Sequence, residues 1–247
     1  SRSFGMAVFM TAGRAGYAIG PIVVAPVAVH FGPKYLLLLA LPAVVISLAI
    51  QRNWKPVQPT QSWNGLREFL KPFRKNRRSL ALLWILESLR TCVMVGLSSF
   101  LPLLMVEKGY ALVPASASVS IFIGAGAVGS LIGGRLADRA GRRQILFITM
   151  ILSIPLSYGF LWTKGPFPWI FLAALGLVSI ATLGVTIALA QELVPKSAGT
   201  ASSLMMGVTW TLGSSGILLI GAMADRIGLR SAMAILFLAW IPATIAA

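Results

Sequence analysis

Gly133-Gly134-Arg135-Leu136-Ala137-Asp138-Arg139-Ala140-Gly141-Arg142-Arg143-Gln144 separates two long apolar stretches, and its reading decides the fold. Four arginines surround a single carboxylate, Asp138. Gly134 is expected to let a neighbouring helix approach closely, and Gly141 to permit a tight turn. A short, strongly basic connection between two apolar runs is what a polypeptide needs to leave a membrane, turn and re-enter it. Basic residues alone would fit any positive loop between membrane helices. The ordered Gly, Asp, Gly and Arg-Arg spacing is more specific than that.

Composition points the same way. Hydrophobic residues make up 57% of the 247-residue chain, charged residues 11%, and the mean hydropathy is +0.85. Soluble domains carry roughly 25% charge, so burial of this chain in one aqueous core is excluded. Apolar runs of about 20 residues recur, each long enough to cross the hydrocarbon layer as a helix. The reading is an all-α, polytopic membrane helix bundle with eight spans near 4–29, 33–51, 80–106, 112–137, 143–163, 167–192, 197–222 and 228–247. Prolines inside these spans (Pro21, Pro26, Pro42, Pro102, Pro155, Pro242) argue against soluble helices and for membrane helices that can bend. One Cys and one His leave no disulfide framework and no His/Cys metal site, and no cofactor is expected.

The net charge of +15 raises nucleic acid as a partner, but its distribution decides against it. Alternate loops carry very different numbers of cations. One side takes Arg2, the eight Lys and Arg of 52–78, the four hinge arginines and Lys196, fourteen in all; the other takes Lys34, Lys108, Lys164, Arg226 and Arg230. The richer side is expected to be cytoplasmic, with both ends of the chain there. The charge is thus an orientation signal. Within 52–78, Trp54, Trp63, Phe69 and Phe73 alternate with Arg67, Lys71, Arg74 and Lys75. The segment reads either as an amphipathic helix lying on the bilayer from near Ser62 or as a disordered basic connector.

Gly134-x-Leu136-Ala137-Asp138-Arg139-x-Gly141-Arg142-Arg143 resembles the hinge signature of the major facilitator superfamily. That resemblance implies a gating role for Gly134, Asp138, Arg139, Gly141, Arg142 and Arg143, with Asp138 near the start of the seventh span. An internal repeat agrees with it. A shift of 196 residues lays the first two spans on the last two, placing Met10 on Met206, Gly20 on Gly216, Ala28 on Ala224 and Gly32 on Gly228. Six helix steps separate the copies, as in the parallel six-helix halves of facilitators. The expectation is about eight helices of twelve: 1–51 as the last two of one half, 52–78 as linker, and 79–247 as the other half.

Further motifs narrow the resemblance. Gly16-Tyr17-Ala18-Ile19-Gly20-Pro21 is similar to the G-x-x-x-G-P motif of facilitator antiporters, in which Gly16 and Gly20 admit a close neighbour and Pro21 bends the helix. Val23, Val24 and Ala25 depart from its downstream pattern. Leu89-Arg90-Thr91 with Gly96 to Pro102, and Gln191-Glu192-Leu193-Val194-Pro195, resemble the fosmidomycin-resistance branch; Arg14 stands where that branch has a neutral polar residue. The implied function is proton-coupled efflux of small, anionic drugs or metabolites from a bacterial inner membrane by a monomer. Its partners are the small-molecule substrate, protons and the lipid bilayer.

Charges inside spans are the site candidates, because each costs about 2.5–3.5 kcal/mol at mid-helix on insertion scales. Glu87 and Arg90 stand three apart, on one helix face, roughly 10–17 Å deep at 1.5 Å per residue. They read either as a structural ion pair or as a substrate-binding Arg90 beside a proton-exchanging Glu87. Arg14 and Tyr17 share a face of the first span and are expected to line the same cavity. Gly124-Ala125-Gly126-Ala127-Val128-Gly129 matches a dinucleotide fingerprint, but no strand precedes it, so it reads as helix packing. No His pair, Cys nucleophile or carboxylate dyad supports an enzyme. An uptake symporter of the same fold and a non-transporting membrane scaffold stay as alternatives.

Overall fold

The structure, a computed structural model, describes residues 2–53 and 76–247, with side chains except at 2–12, 14, 15 and 196. The aromatic and basic segment expected to lie on the bilayer falls almost wholly outside the described residues, as does the side chain of Arg14. The described residues are helical, with no strand among them. Among the described residues eight rods stand where eight apolar runs stand in the sequence. The first is α1 (Arg2–His30) and the second is Pro33–Ala40 continuing into α2 (Leu41–Asn53). Then come α3 (Arg77–Glu107), α4 (Leu112–Ala140) and α5 (Arg142–Trp162). The sixth is α6 (Phe167–Ile180) with α7 (Leu183–Leu193), the seventh α8 (Ala198–Ser203) with α9 (Thr209–Ile227), and the eighth α10 (Leu229–Phe237) with α11 (Trp240–Ala246).

Four rods expected to be continuous are interrupted. Pro33–Ala40 is a tighter 3₁₀ turn rather than α-helix, since Pro42 has no N–H for Leu38 and its ring crowds that carbonyl. Pro242 does the same to Leu238, where α10 gives way to α11; there Leu238 N bonds Ile235 O and Ile241 N bonds Leu238 O in i to i+3 fashion. Leu204–Val208 widens to a π-turn between α8 and α9. The sixth rod breaks at Ala181–Thr182 without a proline.

The core lies around α3. Leu86, Val93, Leu97, Leu101 and Met105 of α3 join Phe122 of α4, Phe160 of α5, Leu172 of α6 and Trp240 of α11 in one buried cluster. Outer faces stay apolar and exposed, as on Leu218, Leu219 and Ile245, which suits a lipid surround rather than water. All of α2 is exposed, while α1 lies along α4. The internal repeat has a conformational counterpart. Gly32 follows α1 with φ 95° and ψ 160°, and Gly228 follows α9 with φ 83° and ψ 149°. A side chain at either position would be strained.

Close helix approach is concentrated on α4. A Cβ on Gly129 or Gly133 would collide with the backbone of Leu177 or Ala181, one on Gly126 with Ile180, and one on Gly176 of α6 with the backbone of Phe122. The dinucleotide look-alike is therefore a packing face, with Gly124 standing in open space. Gly134 is also open, so the glycine that admits a neighbour at the hinge is Gly133. Adjacent helical residues point about 100° apart, and only one of the two can face α6. Gly16 and Gly20 likewise meet nothing within 4 Å among the described residues. Pro21 sits inside α1, and the buried residue within the motif is Ala18.

Candidate functional site

The break in the sixth rod places the ends of two short helices against α3 at the level of its buried charges. Glu87 is 1% exposed and Arg90 0%. Along α3 they stand roughly 15–20 Å from its start at Arg77, at 1.5 Å per residue. Arg90 Nη2 donates to Glu87 Oε1. Its Nη1 donates to the carbonyl of Ser179, at 3.3 Å, in the last turn of α6. The other oxygen of Glu87 accepts from the Thr186 hydroxyl of α7, at 2.9 Å. The cation thus meets a helix C-terminus, where unpaired carbonyls concentrate negative charge, and the carboxylate is met by the first turn of the next helix. Discontinuous helices serve ion sites in transporters in this way.

Hydrogen-bonding capacity is left over. Arg90 Nε and Thr182 Oγ1, both buried, have no partner among the described residues, and neither does Ser120 Oγ of α4. Thr182 is the residue at the break itself. A buried donor without an acceptor is costly, by about 1–3 kcal/mol, and calls for a physical reason. Tyr17 is not part of this cluster: it is 59% exposed on α1 and has no described hydrogen bond to the pair. Thr186 and Ser179, which bond the pair, and Thr182, at the break between them, are residues that sequence reading missed. Their signal was a run of small and hydroxyl residues, Gly176, Ser179, Thr182, Gly184 and Thr186, in an otherwise aliphatic stretch.

The arginine hinge forms a second ionic cluster at one end of the bundle. Gly141 joins α4 to α5 with φ 96°, a backbone shape that other residues rarely adopt. Arg142, the first residue of α5, is bonded through Nη1 to Glu192 Oε2 near the end of α7. Its Nη2 stands 3.9 Å from Asp138 Oδ1. Among the described residues Asp138 finds its ion-pair partner across the turn, in Arg142. The carboxylate that arrives from elsewhere is Glu192. Arg139 and Arg143 point to the exposed surface. Asn76 Nδ2 donates to Leu193 O at 2.5 Å, tying the start of α3 to the end of α7.

Rods of this length and apolarity, a buried charge pair at a broken helix and a basic hinge are the marks of a transporter built from membrane helices. The sequence matches the family model described as Major Facilitator Superfamily over residues 1–217. The chain belongs to the major facilitator superfamily. Among its relatives, an uncharacterised MFS-type transporter of Bacillus subtilis (strain 168), YfnC, is 27% identical over 255 residues. That match takes in 96% of this chain and 60% of the relative. The fosmidomycin resistance protein of Escherichia coli (strain K12) is 24% identical over 225 residues, 89% of this chain and 55% of that protein. The chain thus spans somewhat more than half the length of these relatives. As a facilitator it is a multi-pass membrane protein of a transporter class, not an enzyme class, and its breaks and buried charges sit within membrane-spanning helices.

Proposed function

We propose that the protein expels small anionic drugs or metabolites in exchange for protons by alternating access. The observation that carries this reading is the wholly buried Arg90 beside Glu87, with one N–H that meets no acceptor among the described residues. Arg90 and the Thr182 hydroxyl would bind the anionic group of the substrate. Glu87, sharing Arg90 with that anion, would be the proton-exchanging group. Anion and carboxylate contend for the same guanidinium, so occupancy of one site is felt at the other. Arg142, holding Glu192 and facing Asp138, would keep the ends of α4, α5 and α7 together in one of the two access states.

In this reading 1–51 belongs to one half and 79–247 to the other, joined by 52–78, and the protein works as a monomer in a bacterial inner membrane. Both ends of the chain and the hinge face the cytoplasm; a cysteine at Gln144 should then resist a membrane-impermeant thiol reagent in intact cells. Fosmidomycin, which one relative's name records, is a phosphonate and supplies the first probe. Cells expressing the full-length gene should accumulate less labelled phosphonate than control cells, and an uncoupler should abolish the difference. Higher accumulation would favour the uptake symporter, which the buried charges also suit. Equal accumulation with this and other anionic probes would leave a non-transporting scaffold.

A further inference from the structure

A second concentration of positive charge lies at the end of the bundle opposite the hinge, away from the buried pair. Lys108, which follows α3, donates from Nζ to Leu161 O at 2.9 Å and to Thr163 O at 2.8 Å. The same ammonium stands 5.6 Å from the centroid of the Phe160 ring. It is therefore held in place over the C-terminal end of α5, where the carbonyls and the ring face favour a cation. Lys164 comes from the loop after α5 and Arg230 from the first turn of α10. Both are exposed, and neither forms an ion pair among the described residues. Burial, with the charges of Arg230 and Lys164 nearby, pushes the Lys108 ammonium below the usual lysine range. Glu107 and Asp225, carboxylates of the same end, form no ion pair among the described residues either.

Beside Lys108 is a cavity of about 350 Å³ lined by Lys108, Gly109, Tyr110, Gly165, Pro166 and Trp169. Its wall is stiff. The Tyr110 hydroxyl donates to Gly165 O, and the Tyr110 and Trp169 rings meet edge to face at 5.4 Å. The Trp169 indole N–H makes no described hydrogen bond and is available to a ligand. Lys108 and the Trp169 indole thus line the cup, Lys164 directly precedes its Gly165, and Arg230 stands near enough for its charge to act on Lys108. An anion placed there relieves the mutual repulsion of these cations and loses little, because Lys108 is already immobilised. Around the cup, Trp162 and Phe167 are 57% and 56% exposed, the aromatic rim of a lipid interface.

We propose that this cup binds a phosphate anion, supplied by the phosphodiester headgroup of an anionic membrane lipid. The phosphate lies among Lys108, Lys164 and Arg230, and the glycerol backbone lies against Tyr110 and Trp169. The aromatic rim selects the lipid over a soluble phosphate, since it gives the acyl chains a surface beside the headgroup.

The test uses the purified protein in a neutral detergent, titrated with phosphatidylglycerol, with phosphatidylcholine and with inorganic phosphate, and read by native mass spectrometry and by the unfolding midpoint. Phosphatidylglycerol should bind roughly tenfold more tightly than phosphatidylcholine. The exposed Lys164→Gln/Arg230→Gln double variant should lose that preference while keeping its midpoint in phosphatidylcholine. Inorganic phosphate that raises the midpoint of the parent but not of the double variant would support the same site with a soluble occupant. No preference for phosphatidylglycerol in the parent, or an undiminished preference in the double variant, would overturn the proposal. None of these readouts depends on transport.

Discussion

The protein uses the same chemistry twice, an arginine against carboxylate oxygens, in two settings that differ in almost every other respect. At the buried site Arg90 and Glu87 are at most 1% exposed, and each has a further partner from the broken rod. At the hinge the side chains of Arg142, Asp138 and Glu192 are 25%, 60% and 61% exposed. Water and salt screen the second set, so each contact there is worth about 0–1 kcal/mol. The first set has no such screening, and removing one partner leaves a charge with nowhere to go. Stability should therefore depend on the buried pair, whereas the hinge can form and break within a working cycle. A buried pair and an exposed one can share the same residue types and still differ, because burial, not charge, sets what each contact is worth.

The sharpest way to break that contrast is to remove one partner at a time. Arg90→Leu or Glu87→Leu alone should destabilise the protein by about 3–5 kcal/mol, read as loss of folded protein in detergent unfolding. The Glu87→Leu/Arg90→Leu double variant should recover most of that stability and still fail to transport. Normal transport by the double variant would falsify the coupling role and make the pair purely structural.

Thr186→Val keeps the shape and removes the donor to Glu87 Oε2. A hydrogen bond to a charged group contributes about 1.5–3 kcal/mol, so the unfolding free energy should fall by that order. The proton-gradient dependence of transport should also shift, a change that a loss of packing alone would not produce. Gly129→Ala should cost about 1–3 kcal/mol by overpacking the α4–α6 contact. Gly134→Ala, in open space, should stay within about 0.5 kcal/mol. If the two alanines behave alike, the side-by-side placement of α4 and α6 is wrong. At the small end, Glu192→Gln and Asp138→Asn should each change stability by less than about 1 kcal/mol. Their effect should instead be on transport rate, greater for Glu192→Gln, since Asp138 stands 3.9 Å from Arg142. Rates equal to the parent's for both would remove the hinge from the cycle.

The rods themselves were legible because hydropathy is summed over some 20 residues and tolerates local error. The meeting of Glu87 with Arg90 was legible because a three-residue spacing on a helix fixes proximity without any other helix. What could not be read depended on a second element. Thr186 lies 99 positions from Glu87, and nothing in its neighbourhood marks it as a partner. The break at Ala181–Thr182 has no proline to announce it, unlike those at Pro42 and Pro242. The choice between Gly133 and Gly134 is a matter of rotational phase, which a single helix does not disclose. Glu192 was visible as part of a motif, but its reach to Arg142 is set by where α7 points after the break.

The glycine-lined seam between α4 and α6 has a mechanical consequence. Its last close contact is Gly133 against Ala181, and Ala181 is also where α6 ends. The glycine clamp on the sixth rod therefore ends at its joint, and beyond it α7 is held by side chains, among them Leu183, Ile187 and Ala190. Thr186 and Glu192 ride together on that segment, six residues and roughly 9 Å apart on one short stiff helix. A swing about Ala181–Thr182 that pulls Thr186 from Glu87 must move Glu192 relative to Arg142 as well. The Thr186–Glu87 contact at the centre and the hinge ion pair at the end then share a single degree of freedom, and neither can change without a torque on the other.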